Sequence, residues 1–366
     1  MKWCIEGRKG KIFLMGAAAL LLGMATLHLS TAYAEETKVS DKTMVMQGEK
    51  LNLVQGWDKV FPKSEKVTHN KVTFSNRYGI TLAADVYSPK DIAEKLPAVA
   101  VCGPYGAVKE QSSGLYAQTL AERGFLAVAF DPSFTGESGG VPRSISSPDI
   151  NIEDYSAAID YLITRPDVDE GRIGIVGICG WGRLAVSAAI MDARIKATMS
   201  STMGTTMYAF DHYTPEERIK ERRRLGTERT SDVKNHRHKL AGGVPAPNEL
   251  APDTPQAWKD YSDYYKTPRG YHARSLNSND GWQTVTSLPF MNFPLLTYAN
   301  EIESAVLLVH GTEAYSLDAS KETYAMLKGK NKELYLVPNA RHTDLYDKPE
   351  YIPFDKIEKF FRENLR

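Results

Sequence analysis

From about residue 66 to the end of the chain, short apolar runs alternate with amphipathic segments of helical period. The predicted strands are residues 96–102, 125–131, 172–179, 195–201, 304–311 and 332–339. The predicted helices are residues 112–124, 151–165, 182–192, 318–329 and 353–365. Residues 71–76 and 81–89 precede them and read as a hairpin. Strands that alternate with helices of this length predict a mostly parallel sheet with helices on both faces.

Regions outside this alternation divide the chain further. Residues 35–65 are polar with scattered aromatic side chains, and we expect a peripheral N-terminal segment. Residues 66–203 and 290–366 form the predicted core. Residues 204–289, which are rich in Arg, Tyr and short polar side chains, interrupt it. Ligands of open α/β sheets bind at the carboxyl ends of the strands, where this insertion begins, so we expect it to form a cap over the active site.

The first 34 residues have the pattern of a signal peptide. A start that contains Lys2 and Arg8 precedes an apolar run over residues 12–29, and Ala32-Tyr33-Ala34 matches a signal-peptidase site. The alternative is an uncleaved membrane anchor, because the run approaches spanning length. The cleavage site favours an exported protein, periplasmic or secreted, with no stable membrane insertion after cleavage.

Charge and cysteine content exclude several classes of function. Basic and acidic residues number 45 each, so the chain lacks the basic footprint of a nucleic-acid-binding protein. Removal of residues 1–34 leaves only Cys102 and Cys179, too few for a disulfide scaffold. No Cys/His spacing resembles a zinc site, and His236-x-His238 is too weak to indicate one. We therefore expect no metal and no cofactor.

The turn at residues 177–185 has two interpretations. Gly180 to Ala185 fits the G-x-G-x-x-A pattern of a dinucleotide-binding turn, but the pattern lies on a late strand, and the next strand lacks the acidic residue that binds ribose. A nucleophile elbow explains more residues, because glycines surround Cys179 and such an elbow needs small neighbours. The helix that begins at Gly180 is expected to lower the pKa of the thiol.

His342 is the expected partner of this nucleophile. It lies in the loop between the last predicted strand and the last predicted helix, where a base belongs in the order nucleophile, acid, base. His310 closes a strand, and we expect it to be a structural, hydrogen-bonded histidine.

Together these motifs resemble the α/β-hydrolase superfamily. Residues 103–140, 177–182 and 307–311 are similar to bacterial hydrolases near dienelactone hydrolase, and also to the X-prolyl dipeptidyl peptidase and cocaine-esterase group. The resemblance implies an eight-stranded α/β-hydrolase fold with a cap, and Cys179 in the place of the commoner Ser. The usual acid position, three residues after Gly311, holds Ala314, so we expect Glu313 to be the acid, with Asp318 as the alternative.

The oxyanion hole is expected to have two donors. The first is the backbone N–H of Gly180, the residue after the nucleophile. The second comes from the loop 103–106, where Pro104 has no N–H, so that Tyr105 donates through its backbone or through its hydroxyl. The hydroxyl is the donor that the cocaine-esterase resemblance implies.

The sequence therefore predicts an exported hydrolase that acts on an ester, thioester or lactone through Cys179 and His342, with a small-molecule acyl substrate. Acyl transfer or peptide cleavage at the same site remains an alternative, as does a non-catalytic binding protein of the same fold. Cys102 and Cys179 end strands that are neighbours in this fold, so a masking disulfide is a further possibility beside a buried Cys102 thiol.

Overall fold

The computed structural model describes residues 48–91, 94–205, 210 and 212–366. The predicted signal peptide, residues 1–34, and the first part of the predicted peripheral segment, residues 35–47, lie outside these residues. Within the described ranges no helix is both long enough and apolar enough to cross a membrane.

One large sheet organises the molecule. Its strands are β1 (Val67–Ser75), β2 (Thr81–Pro89), β3 (Leu96–Cys102), β4 (Leu126–Phe130), β5 (Val168–Ile178), β6 (Ala197–Ser201), β9 (Ala305–Gly311) and β10 (Lys332–Val337). Their order across the sheet is β1-β2-β4-β3-β5-β6-β9-β10. Strand β2 pairs antiparallel with β1 and β4, and the remaining pairs are parallel. The predicted eight-stranded, mostly parallel sheet is confirmed.

Helices cover both faces of this sheet. The described helices are α1 (Ser112–Glu122), α2 (Pro148–Ile163), α3 (Gly180–Met191), α4 (Pro215–Asn235), α5 (Gln256–Tyr265), α6 (Leu317–Met326), α7 (Asp344–Asp347) and α8 (Phe354–Asn364). Successive side chains of a strand point to opposite faces. In β3, Val99 and Val101 pack with α1 and α8, whereas Ala98 and Ala100 pack with α2 and α3.

The described part of the residues predicted to form a cap contains helices α4 and α5 and a small two-stranded sheet. Helix α4 begins at a capping box, in which the Thr214 hydroxyl accepts from the Glu217 N–H and the Glu217 carboxylate accepts from the Thr214 N–H. Only Leu225 and Asp232 of this helix are buried, as expected for a solvated helix. Strands β7 (Leu240–Gly242) and β8 (Gly281–Gln283) pair antiparallel.

The end of the predicted peripheral segment packs closely against the core. The Trp57 and Phe61 rings meet edge to face with centroids 5.7 Å apart, and Phe61 is buried in the cluster beneath α1. The Val60 N–H donates to the Glu110 carbonyl oxygen at 3.0 Å. Residues 57–61 therefore pack as part of the domain core.

A buried ionic network, which the sequence analysis did not predict, joins this segment to the core. At its centre is Lys109, whose Nζ lies 2.7 Å from Glu110, 2.8 Å from Asp131 and 2.6 Å from Glu137. The Lys109 side chain is fully buried. Burial by itself raises the pKa of Glu110, but Lys109 and Arg274 overcome this effect and hold the pKa well below its ordinary value. The pKa of Glu137 is lowered as well, whereas burial raises the pKa of Asp131, so the Glu110 and Glu137 carboxylates are the ones held ionised beside Lys109.

The network extends to the N-terminal segment. Lys59 Nζ lies 2.9 Å from Asp85, which also accepts from His69 at 2.7 Å. Arg274, from the insertion, lies 2.6 Å from Asp58. The three carboxylates of Asp58, Glu110 and Glu137 lie close enough together to resemble a metal site, but Lys and Arg side chains already neutralise them. This cluster is accordingly an ion-pair network that links three parts of the chain.

Removal of the central cation should destabilise the fold strongly. Lys109→Met would leave three buried carboxylates short of their partner, and breaking a buried ion pair in this way costs about 3–5 kcal/mol. We expect the free energy of unfolding, measured with urea, to fall by this amount. As a matched control, Lys321→Met removes the exposed pair with Asp318 and should cost less than about 1 kcal/mol. Equal losses in the two variants would contradict the importance of the network.

Candidate active site

Cys179 lies at a sharp turn between β5 and α3. Its φ of 58° and ψ of −125° are in the left-handed half of the backbone map, which non-glycine residues rarely occupy. Hydrogen bonds hold the turn on both sides: the Cys179 N–H donates to Ser201 O at 2.9 Å, and the Gly182 N–H donates to Cys179 O at 2.9 Å. This strained strand-to-helix geometry is that of a nucleophile elbow.

The elbow requires small neighbours, as predicted. A Cβ atom on Gly180 would lie 2.8 Å from the Cβ of Tyr105, and one on Gly204 would lie 2.9 Å from the sulfur of Cys179. Carbon and sulfur atoms that are not bonded do not approach so closely. These two glycines therefore let the oxyanion loop and the start of the insertion close around the thiol.

Two backbone N–H groups point at the Cys179 sulfur. They belong to Gly180 and Tyr105, and both stabilise the thiolate and act to lower the pKa of Cys179. The Tyr105 ring is directed elsewhere, because it stacks on Trp282 with ring centroids 4.1 Å apart. Its hydroxyl lies toward Ser146 and Thr286. Of the two donors considered for Tyr105, the backbone N–H rather than the hydroxyl faces the thiol.

The insertion holds the loop that carries Tyr105. Asn277 Nδ2 donates to Tyr105 O at 2.7 Å, and the Asn277 N–H donates to Gly106 O at 3.2 Å. The Ser275 hydroxyl donates to the same Gly106 oxygen at 3.0 Å. The N–H of Tyr105 thus owes its position to residues of the predicted cap.

His342 is brought to the same site but does not contact the thiol directly. Its Nε2 lies 3.1 Å from the hydroxyl of Tyr346, and no hydrogen bond joins it to Cys179 among the described residues. The Tyr346 hydroxyl also interacts with the Cys179 thiol, where it acts to lower the thiol pKa. Tyr346 therefore bridges the two predicted catalytic residues. Its spacing of four from His342 in the sequence is the signal that could have indicated it.

The predicted acid does not reach the histidine. His342 Nδ1 lies 2.6 Å from the Ser316 hydroxyl and 3.2 Å from that of Thr202. Glu313 and Asp318 are both exposed, and Asp318 pairs with Lys321 at 3.2 Å. After β9 the chain turns so that Ser316, rather than either carboxylate, faces inward. The expectation for Glu313, and for Asp318 as its alternative, is not supported by this geometry.

The thiol and the imidazole are both uncharged at rest. Burial raises the pKa of Cys179 above its ordinary 9.0, although Tyr346 and the Gly180 N–H oppose this effect. Burial and the neighbouring His310 lower the pKa of His342 well below 6.5. The expectation that the pKa of the thiol is lowered at this helix start is therefore wrong, because desolvation outweighs the hydrogen bonds to the sulfur.

A cavity of about 470 Å³ opens onto Cys179. Aromatic side chains dominate its wall, and no Asp, Glu, Lys or Arg is present among the described residues that line it. The aromatic lining residues are Tyr105, Trp258, Tyr261, Tyr265, Trp282, Tyr315 and Tyr346. Its size suits a small organic molecule, and its wall suits an uncharged one.

Cys102 and Cys179 are both free thiols. In the sheet register Cys102 lies opposite Gly177, and its side chain packs in the cluster on the α2 and α3 side. Cys179 belongs to the cluster on the other side. The possibility of a bridge between them is therefore not realised, and Cys102 is a buried thiol behind the site.

Comparison with known proteins places the chain among related sequences. The model of the X-Pro dipeptidyl-peptidase (S15) family matches residues 78–344. The uncharacterized protein PA2218 of Pseudomonas aeruginosa is 49% identical, over 98% of this chain and 96% of that protein. Its crystal structure has a TM-score of 0.82 at 51% identity and covers 87% of this chain and 100% of that one.

Two fungal proteins are more distant. Thiohydrolase aneE of Aspergillus aculeatus is 31% identical over 37% of this chain and 42% of its own length. The α/β-hydrolase GrgF of Penicillium has a TM-score of 0.67 at 17% identity, over 81% of this chain and 99% of that one, and supports the fold. The chain therefore belongs to the X-Pro dipeptidyl-peptidase (S15) family and is a hydrolase with the α/β-hydrolase fold.

Proposed function

We propose that this hydrolase cleaves esters or thioesters of uncharged, apolar acyl groups, with Cys179 as nucleophile and His342 as base. The observation that carries the proposal is the combination at Cys179. A thiol on a strained elbow faces two converging backbone donors and opens into an aromatic cavity. Acyl transfer needs a nucleophile, a base and an oxyanion hole. In the proposal these are Cys179, His342 and the two backbone N–H groups.

The reaction begins with two neutral groups. The Cys179 thiol passes its proton to the Tyr346 oxygen as the Tyr346 proton moves to His342 Nε2, and the sulfur bonds to the acyl carbon. The carbonyl electron pair moves to the oxygen, which the N–H groups of Gly180 and Tyr105 stabilise. The electron pair then returns from the oxygen, the bond between the acyl carbon and the leaving alcohol or thiol breaks, and the leaving group takes the proton from His342. Water next gives a proton to His342 as its oxygen bonds to the acyl carbon; the bond from that carbon to the Cys179 sulfur breaks, the acid leaves, and the proton returns from His342 through Tyr346 to the sulfur.

The lining of the cavity supports the proposal that the acyl group is uncharged. A carboxylate or ammonium placed against this wall would lose its hydration and find no opposite charge among the described lining residues. Tyrosine and tryptophan rings, by contrast, provide large apolar contact area. Ester and thioester substrates with aliphatic or aromatic acyl parts match this surface.

The same wall argues against dipeptide release. A dipeptidyl peptidase binds a free amino terminus, whose ammonium needs an anionic partner when it is buried. The lining supplies none in the part of the chain that the structure describes. We therefore propose acyl-ester chemistry rather than X-Pro cleavage for this member of the family, and expect no turnover of Ala-Pro-p-nitroanilide.

The catalytic assignment predicts a graded loss of activity. Cys179→Ala should abolish turnover of p-nitrophenyl butyrate. Cys179→Ser should retain a small fraction of the activity, because the serine hydroxyl is a weaker nucleophile. His342→Ala should lower kcat by about 10²–10⁴-fold, the range of a general base. Glu313→Gln, which alters an exposed side chain, is the matched control and should change kcat less than about twofold. Near wild-type turnover in Cys179→Ala would end the proposal.

The proposed substrate class can be tested with two acyl groups of equal length. Butyryl and succinyl thioesters of N-acetylcysteamine differ by a terminal methyl against a terminal carboxylate. We expect kcat/KM for the succinyl thioester to be lower by about 10²-fold or more, because its charge would be desolvated in the cavity. Steady-state thiol release gives both values. Equal kcat/KM values would refute an uncharged acyl site.

We also propose that the protein is exported with cleavage after Ala34, on the basis of the basic start, the apolar run and the Ala32-Tyr33-Ala34 site. The expected result is a mature chain that begins at Glu35, measured as the intact mass of protein from the periplasmic or secreted fraction. Ala34→Arg should block cleavage, because signal peptidase requires a small residue there. A full-length mass in the wild type would contradict the cleavage and favour a retained anchor.

A further inference from the structure

Behind His342 lies a chain of buried neutral groups. Ser316 Oγ is 2.6 Å from His342 Nδ1 and 3.0 Å from His310 Nε2. His310 Nδ1 in turn is 2.7 Å from Ser320 Oγ. All four side chains are buried, with exposed fractions of 2% or less. Such a sequence of short contacts in a dry interior is a hydrogen-bond network in which every member has a partner.

Thr202 determines the direction of these hydrogen bonds. Its hydroxyl donates to the His342 carbonyl oxygen at 3.2 Å, so it has no hydrogen left for His342 Nδ1, which lies 3.2 Å away. This favours the tautomer with the hydrogen on Nδ1, which can donate to the oxygens of both Ser316 and Thr202, whereas a bare Nδ1 would face the Thr202 oxygen lone pair. Nε2 then has a free lone pair, and this lone pair faces the Tyr346 hydroxyl.

The remaining bonds follow from this tautomer. Ser316 accepts from His342 Nδ1 and donates to His310 Nε2. His310 then carries its own hydrogen on Nδ1 and donates it to Ser320. The Nε2 lone pair of His342 thus points to the Tyr346 hydroxyl, on the side of the imidazole that faces the nucleophile. This is the orientation that a catalytic acid normally enforces.

Among the residues that the structure describes, no carboxylate bonds to this arrangement, although the exposed Asp318 acts through space to raise the pKa of His310. Asp344, two residues after His342, accepts from Lys348 at 2.7 Å and from the Arg341 N–H at 2.8 Å. Glu313 and Asp318 are exposed. Among the described residues, the group on His342 Nδ1 is therefore a serine hydroxyl backed by a second histidine.

We propose that Ser316 and His310 are positioning residues that replace the acid of the triad, an inference that rests on the proposed function of Cys179 and His342. They keep the hydrogen on His342 Nδ1 and orient the lone pair of Nε2. When Nε2 accepts the proton that leaves Cys179, the Ser316 oxygen faces the imidazolium and His310 polarises the Ser316 hydroxyl. Because the network has no charge, the thiol and the imidazole stay neutral until substrate binds.

The tautomer of His342 gives a test that needs no enzymatic activity. In the wild type, the ¹⁵N shifts of the His342 ring should show hydrogen on Nδ1 and a bare Nε2. Ser316→Ala removes the main acceptor, and we expect a mixture of the two tautomers. An unchanged tautomer in Ser316→Ala would overturn the proposal, even if the proposed hydrolysis proved correct.

Alkylation of Cys179 gives the second test. In the wild type the rate of alkylation by iodoacetamide should rise with pH as the thiol ionises, with a pKa above the ordinary 9.0. Ser316→Asp introduces the missing carboxylate beside His342 Nδ1, stabilises the imidazolium and so permits a thiolate–imidazolium pair. We expect the alkylation rate at pH 7 to rise at least about tenfold, with a plateau at neutral pH. Glu303→Gln, which alters an exposed side chain, is the control and should leave the profile as in the wild type.

Kinetics then separate the roles of the two residues. Ser316→Ala should lower kcat about 10- to 100-fold with KM within about twofold, because orientation of the base matters in the transition state. His310→Gln retains an acceptor for the Ser316 hydroxyl and should recover most of the rate that His310→Leu loses. Cys102, buried behind the sheet, should stay unalkylated in every variant and so reports that the fold is intact.

The outcomes distinguish this proposal from the one on which it rests. If the wild type turns over no ester or thioester, the proposed function fails, while the tautomer and alkylation tests still decide the role of Ser316. If Glu313→Gln reduces kcat more than Ser316→Ala does, the acid is Glu313 and the proposal for Ser316 and His310 is wrong. Equal losses in His310→Gln and His310→Leu would likewise contradict the relay through His310.

Discussion

The position of the oxyanion loop depends on one buried cation. Lys109 lies four residues after Tyr105, and its ammonium binds Asp131 and Glu137 of the neighbouring loop. Asp131 also accepts from the Lys109 N–H at 2.8 Å and the Glu137 N–H at 2.8 Å, so one carboxylate orders two loops. In a dry interior these charge-assisted bonds are short and directional. These contacts hold the end of the loop that carries Tyr105, in addition to the bonds that Asn277 and Ser275 make to it.

Much of this architecture could be predicted from the sequence. The alternation of strands and helices predicted the sheet, and the glycines around Cys179 predicted a tight strand-to-helix turn, where Cys179 has a φ of 58°. The order of nucleophile, acid and base along the chain was enough to predict that His342 lies at the same edge of the sheet as Cys179. These features are encoded locally or by strand order, which sequence patterns report well.

The details that were missed depend on which side chain of a loop turns inward. Glu313 and Ser316 lie in the same short segment, and only the tertiary packing decides that Ser316 faces His342. The pKa of the thiol was predicted in the wrong direction for a similar reason. A helix N-terminus is visible in the sequence, whereas the aromatic wall that dehydrates the sulfur is assembled from residues of the insertion and of the core that are distant in the sequence.

The bonds from Asn277 and Ser275 to the oxyanion loop have a consequence for how new specificities can arise in this scaffold. The insertion supplies much of the wall of the cavity at Cys179 and also bonds to the loop that carries Tyr105. It is therefore not an interchangeable module. A chimaera that exchanged the whole insertion for that of a relative would acquire new walls but lose the support of Tyr105. Point substitutions at wall positions such as Trp258, with the segment 270–280 retained, are the route by which substrate range and catalytic competence can change separately.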